Sequence, residues 1–304
     1  NLYFLESKIG EGAFGNIYIG RNIYTNDQVA IKVETEKKRT KGKRLSSPKL
    51  VLESKIYLTL SRIKNLIGFP RLYYFKDYSH ASVMVTDLLG PSLDDLFSQQ
   101  GRQFGFKTVL NIFMQVINRI QTFHSIGYIH RDIKPANFLI GLNDFDQRGE
   151  ASNQNIIHLI DYGLSKKYRN RGHHIKYRTD MKLAGTPRYV SLRTHLGYEQ
   201  SRRDDLESIG YMMIYFAKGS LTWQGLGGSD KREKHKRIKD KKRSMTSQKL
   251  CHKLPIQFKE YMDYVRNLQF DETPNYRYIK RLILRMFNDY RLTNDNIFDW
   301  TTWS

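Results

Sequence analysis

His130-Arg131-Asp132-Ile133-Lys134-Pro135-Ala136-Asn137 decides how the rest of this chain is read. Within eight residues it sets out a carboxylate, a cation and a carboxamide at fixed spacing. Asp132 can accept or orient the proton of an attacking hydroxyl. Lys134 can neutralise a phosphoryl group in transfer, and Asn137 can ligate a metal. Immediately upstream, residues 107–124 place Val109, Ile112, Phe113, Val116, Ile120 and Phe123 on one stripe, which predicts an amphipathic helix delivering the string.

Downstream, Asp161-Tyr162-Gly163 follows an apolar strand expected at 156–160. An Asp-x-Gly alone is usually a turn. After such a strand, Asp161 reads as a second metal ligand, with Tyr162 an aromatic plug that also carries a hydroxyl.

Upstream, Gly10-Glu11-Gly12-Ala13-Phe14-Gly15-Asn16-Ile17 is a glycine-rich loop whose backbone can approach phosphate oxygens. A dinucleotide fingerprint would put a helix after it. Here Ile17-Tyr18-Ile19-Gly20 continues as a strand, so a hairpin covering the phosphates fits better. Val29-Ala30-Ile31-Lys32 follows, and Lys32 can reach the phosphates nearer the nucleoside. Glu53 lies beside the Leu52, Ile56, Leu60 stripe of a helix predicted at 49–61, placed to hold Lys32. A lone Lys–Glu pair is more often a surface salt bridge worth little; the glycine loop before it changes that reading.

Strands are expected at 4–10, 16–21, 28–34, 71–79 and 81–87, and Leu89-Gly90-Pro91 then breaks the pattern. Further helices are expected at 201–218, 256–268 and 276–287. This is an α+β plan in two lobes: a small β-rich N-lobe over 1–88, a hinge near 87–90, and a larger helical C-lobe over 89–304. Residues 143–155 read as a polar loop with no assigned function.

Composition narrows the partners. A hydrophobic fraction of 39% and an aromatic fraction of 13% in 304 residues argue for a folded globule over a disordered chain. The single cysteine, Cys251, excludes an internal disulfide, and no Cys/His spacing suits zinc. No apolar run is long enough to span a membrane, so cytoplasmic or nuclear placement and a monomeric catalytic domain are expected. The formal net charge is +21, of which residues 37–44, 164–179 and 231–243 together carry +19. Acidic or phosphorylated partners are the direct implication, with weak electrostatic nucleic-acid binding as a secondary property. The runs lack the interleaved aromatics that single-strand binders stack on, which counts against a nucleic-acid-binding protein. Residues 231–243 read either as a nuclear-localisation patch or as a solvated helix or loop.

In this order, over nearly the whole chain, the motifs resemble the protein-kinase superfamily. A finer match to casein kinase I rests on Leu89-Gly90-Pro91-Ser92-Leu93-Asp94-Asp95-Leu96-Phe97 and Ser201-Arg202-Arg203-Asp204-Asp205-Leu206-Glu207-Ser208. Thr222-Trp223-Gln224-Gly225-Leu226 and Lys231-Arg232-Glu233-Lys234 add to it. Most kinases carry Ala-Pro-Glu where this chain has Ser191-Leu192-Arg193, a departure the casein kinase I group shares. The resemblance implies serine/threonine transfer from ATP with Mg²⁺ on Asn137 and Asp161. It places the nucleotide against Ile9, Gly10, Glu11, Gly12, Gly15 and Ile17 above, with Ala30, Lys32, Thr86, Asp87 and Leu89 behind. Thr86 stands at the gatekeeper, where the family often has Met, so bulky ATP-site inhibitors are expected to fit. It implies that Thr186 contacts Asp132 and Lys134, and that Asp205 anchors the catalytic loop. It further implies that Arg188, Gly225 and Lys234 bind an anion, favouring substrates already phosphorylated upstream of the acceptor. Arg131 could receive an activation-loop phosphate on Ser165, Tyr168, Tyr177 or Thr179, but activity without such phosphorylation is the expectation. A catalytically dead binding module on the same fold would need a lost catalytic group, and none of the motifs lacks one.

Overall fold

The computed structural model describes residues 2–12, 15–35, 49–142 and 155–302. The basic run at 37–44 and all but the last residue of the 143–155 loop lie outside them. Five strands open the chain: β1 (Tyr3–Gly12), β2 (Gly15–Asn22), β3 (Gln28–Thr35), β4 (Leu72–Asp77) and β5 (Ala81–Asp87). They form one antiparallel sheet in the order β1-β2-β3-β5-β4. Alternation along β3 buries Val29 and Ile31 against Val85 and turns Ala30 and Lys32 to the other face. Register then sets Lys32 beside Ile17 and Ala30 beside Thr86. Helix α1 (Lys49–Leu60) buries Ile56, Tyr57 and Leu60, and Glu53 goes under with them.

The rest is mostly helical, as expected. Helix α2 (Leu93–Gln99) was not predicted. Its signal stood in the sequence: Ser92 and Asp95 form a capping box, each side chain bonded to the other's backbone N–H. Helix α3 (Phe106–Ser125) buries its whole predicted stripe. Six short strands follow among the described residues: β6 (Tyr128–Ile129), β7 (Phe138–Ile140), β8 (Ile157–Leu159), β9 (Lys166–Lys167), β10 (Arg169–Asn170) and β11 (His173–His174). Pairing of β6 with β9, and of β7 with β8, brings residues 130–137 against Asp161.

Six α-helices follow among the described residues: α4 (Leu192–His195), α5 (Arg202–Lys218), α6 (Lys231–Ser244), α7 (Ser247–Leu250), α8 (Ile256–Asn267) and α9 (Tyr276–Asp289). The core runs between α3, α5, α8 and α9. Helix α5 is enclosed over nearly its full length, including Arg202, Arg203, Asp204, Asp205 and Glu207. Among the described residues, no helix is long and apolar enough to cross a membrane.

Candidate active site

Lys32 leaves β3 toward α1, and its Nζ meets Glu53 Oε2 at 2.7 Å and Asp161 Oδ1 at 3.6 Å. Burial works against the ammonium, but the two carboxylates outweigh it and hold Lys32 above the ordinary lysine range. Glu53 is the buried member, only 2% exposed. Burial raises its carboxyl and Lys32 opposes that rise.

The catalytic string is fixed from below. Asp205 on α5 accepts the backbone N–H of His130 at 2.7 Å and of Arg131 at 2.8 Å, and bonds His124 Nε2 at 2.9 Å. Burial alone would raise the Asp205 carboxyl; the His124 bond and these donors hold it low. Arg131 and Asp161 both adopt positive φ, at 69° and 63°, a strained conformation for non-glycine residues that clusters at functional sites. Asp132 is nearly buried, with both oxygens engaged. Oδ1 accepts the Thr186 backbone N–H at 2.9 Å and hydroxyl at 2.8 Å; Oδ2 accepts Lys134 Nζ at 2.8 Å. Asn137 Nδ2 donates to the Asp132 carbonyl at 2.8 Å.

The residues present fit a divalent cation. Asp161 Oδ1 is buried and, with the Lys32 ammonium no nearer than 3.6 Å, accepts no hydrogen bond, so it retains capacity for a metal ion. The bond from Asn137 Nδ2 directs its amide oxygen elsewhere. Among the described residues, no cluster of three or more His, Cys, Asp or Glu could hold a metal unaided. Two oxygen donors completed by phosphates suit Mg²⁺, which takes few protein ligands. Tyr162 beside them is fully buried, packs on Tyr57 and Phe123, and donates its hydroxyl to the Leu159 carbonyl at 2.6 Å.

Around the nucleotide position, β1 and β2 form the hairpin read from the sequence, Gly12 pairing with Gly15. Gly15 has φ 149°, and a Cβ there would stand 2.4 Å from the Val33 carbonyl oxygen, so a side chain is excluded. Ile9 is half exposed and Glu11 is bonded to Lys8 at the surface. At the hinge, Thr86 is nearly buried and its hydroxyl donates to the Asp87 carbonyl. Asp87 turns its carboxylate to β4, accepting from Arg71 N at 2.6 Å and the Tyr73 hydroxyl at 2.6 Å. Its side chain ties the hinge to the sheet.

A second concavity of about 700 Å³ lies beside the catalytic loop. It is lined by Lys134, Arg188, Gly225 and Lys234, so the structure unites the three residues expected to bind an anion. Asp94, Lys231 and His235 line it too, and sequence reasoning did not single them out. Arg188 follows Thr186 in one turn, its guanidinium 5.8 Å from the Tyr189 and Tyr215 ring centres. Trp223 Nε1 donates to the Arg188 carbonyl at 2.7 Å.

The end of the activation segment is held without Ala-Pro-Glu. Ser191 Oγ donates to Asp204 Oδ1 at 2.5 Å, and Leu192 N to Glu207 Oε1 at 3.1 Å. Glu207 also faces Arg193 at 3.8 Å and Arg266 at 4.0 Å. Burial pushes the Asp204 carboxyl up to about 6. Earlier in the segment, Arg131 Nε donates to the Leu164 carbonyl at 2.6 Å. Of the four candidate phosphate acceptors, Ser165 and Tyr168 are buried, whereas Tyr177 and Thr179 are exposed.

The sequence model of the family described as "Protein kinase domain" matches residues 3–298.

Proposed function

The chain belongs to the protein kinase domain family, and from that premise we propose that it is a casein kinase I-like serine/threonine kinase that favours acidic or pre-phosphorylated substrates. The observation that carries this reading is the turn joining Thr186 to Arg188. One end of it hydrogen-bonds the base Asp132, and the other lines a cavity shared with Lys231 and Lys234. An acceptor hydroxyl at Asp132 and a phosphate upstream of it would then be read by one short stretch of chain. Arginine grips phosphate bidentately and lysine adds a point charge.

In the transfer, Lys32, held by Glu53, fixes the phosphates of ATP nearer the nucleoside. The hairpin of β1 and β2 covers them and keeps water out. Asp132 orients the serine or threonine hydroxyl and takes its proton as the oxygen bonds the γ-phosphorus and the bond to ADP breaks. Lys134 balances charge on the moving phosphoryl group. Asp161 and Asn137 would hold Mg²⁺, which supplies electrostatic stabilisation of the phosphate oxygens. Positioning and preset charge do most of the catalysis. Burial of Ser165 and Tyr168, with Arg131 engaged by the segment's own backbone, supports activity that does not wait for phosphorylation at those sites.

The test is transfer from labelled ATP with Mg²⁺ to paired serine peptides, one carrying phosphoserine three residues upstream and one carrying serine. Faster transfer to the primed peptide, abolished by Asp161→Asn, is expected. Equal rates on the two peptides would remove the anion-reading proposal and keep the kinase. No transfer to any protein acceptor would favour a binding module on the same fold.

A further inference from the structure

Of the nine lysines and arginines in α6, only Lys242 is buried, and it is buried completely. A lysine on a surface helix that turns inward gives up its hydration, which is costly unless the protein replaces it. Two backbone oxygens and two rings replace it here. Lys242 Nζ donates to the Pro187 carbonyl at 2.9 Å and to the Val190 carbonyl at 2.5 Å. It lies 4.8 Å from the centre of the Tyr211 ring and 5.1 Å from that of Trp223. Burial drives the ammonium well below the ordinary lysine range, and Glu207 opposes that drop.

The two carbonyls flank Arg188. The carbonyl of Arg188 itself is taken by Trp223, and that of Pro187 is shared with His195 Nε2 at 3.2 Å. This stretch has no helix or strand ladder to hold it. Its own backbone supplies only the N–H groups of Tyr189 and Val190, both bonded to the Thr186 carbonyl. Its outward-facing carbonyls are therefore its handle, and Lys242 grips two of them from α6.

The anion cavity is built from two such pieces. Arg188 comes from the turn; Lys231, Lys234 and His235 come from the first part of α6. We propose that Lys242 is the positioning residue of this cavity: it fastens the 187–190 turn to α6 and so sets the spacing of Arg188 from Lys234. It touches no substrate. Its role rests on the phosphate-reading function proposed above and is separable from it by experiment.

The experiment uses the whole chain with Lys242→Met, Arg188→Ala and the double substitution. Methionine keeps most of the side chain's length against Tyr211 and Trp223 and removes the N–H donors. For each protein, kcat and KM are measured on a serine peptide with phosphoserine three residues upstream and on its unphosphorylated twin. Loss of the two bonds to the turn is expected to lower the primed-to-unprimed ratio of kcat/KM about tenfold, mostly through KM on the primed peptide. Lys242→Met should lower that ratio little further in the Arg188→Ala background, because both act through the same guanidinium. An equal loss on both peptides, or effects that multiply, would overturn the proposal and leave Lys242 a packing residue.

Should Lys242→Met fold poorly, Trp223→Phe gives the second reading. It removes the donor to the Arg188 carbonyl, keeps an aromatic ring, and should show a smaller primed-selective loss; an equal loss on both peptides again counts against the proposal. A wild type with no primed preference would bring down the phosphate reading together with this inference. A preference that depends on Arg188 and survives Lys242→Met would bring down this inference alone.

Discussion

The catalytic cleft and the cavity proposed to read phosphate both gather lysine and arginine, and they treat them in opposite ways. In the cleft the two lysines each have a carboxylate: Lys32 has Glu53, and Lys134 has Asp132. In the cavity, among the described residues, Arg188, Lys231 and Lys234 form no salt bridge with a protein carboxylate; aromatic rings and backbone contacts hold Arg188 in place. A paired charge is committed to geometry, and removing its partner leaves a buried charge uncompensated. An unpaired charge near the surface is left for a ligand. The first region is therefore expected to respond to mutation through rate, and the second through substrate choice.

The largest effect should come from Asp161→Asn. Loss of the charge proposed to hold the cation should lower turnover at least about 1000-fold, while thermal unfolding stays close to wild type. Retained turnover would show that the cleft does not work by pairing. Glu53→Gln keeps the shape and frees Lys32, so a fall of about 10- to 100-fold in kcat/KM on primed and unprimed peptides alike is expected. A loss confined to the primed peptide would erase the distinction between the regions. Arg188→Ala with Lys234→Ala should do the reverse, lowering kcat/KM on the primed peptide by about 10- to 100-fold. Transfer to the unprimed peptide should change far less, and raised salt should narrow the primed advantage of the wild type.

The smallest effect sharpens the boundary between the two regions. Asp204 lies beneath Ser191, and burial raises its carboxyl to about 6, against about 4 in an unfolded chain. Its folded pKa is the higher one, so stability from this group is full below about pH 4 and is lost as pH rises through about 6. Asp204→Asn removes that titration. Between pH 4.5 and 7 the wild type should lose about 2 kcal/mol relative to the variant, read by denaturant unfolding at each pH. Parallel pH profiles would refute the assignment.

The contrast also separates what could be read from the sequence. Lys32, Glu53, Asp132, Asn137 and Asp161 sit in short strings whose spacing carries the chemistry, and the structure brings all five together. Strand and helix positions followed from alternation and from stripes, with ends displaced by a residue or two where caps such as Ser201 take over. Lys242 was lost among nine basic residues in a run of charge. One signal did point to it: Ile238 is the only apolar residue of that run, and Lys242 stands four residues on, on the same helical face. Glu207 and Arg266 were hidden for another reason. Their encounter joins α5 to α8, and nothing local in either segment encodes it. The bonds from Arg71 and Tyr73 to the Asp87 carboxylate were likewise hidden, because they cross the sheet and nothing local in residues 81–87 encodes them.

Glu207 has a practical consequence for exchanging parts between kinases. The acid that steadies the end of the activation segment is carried by α5, not by the segment. A segment transplanted from a kinase with Ala-Pro-Glu would bring its own carboxylate toward Arg266 while deleting Arg193. Two acids would then face one arginine where little water can separate them, and repulsion would lift the graft from its seat. The segment and α5 are thus one module for recombination: a working chimera has to take both or neither.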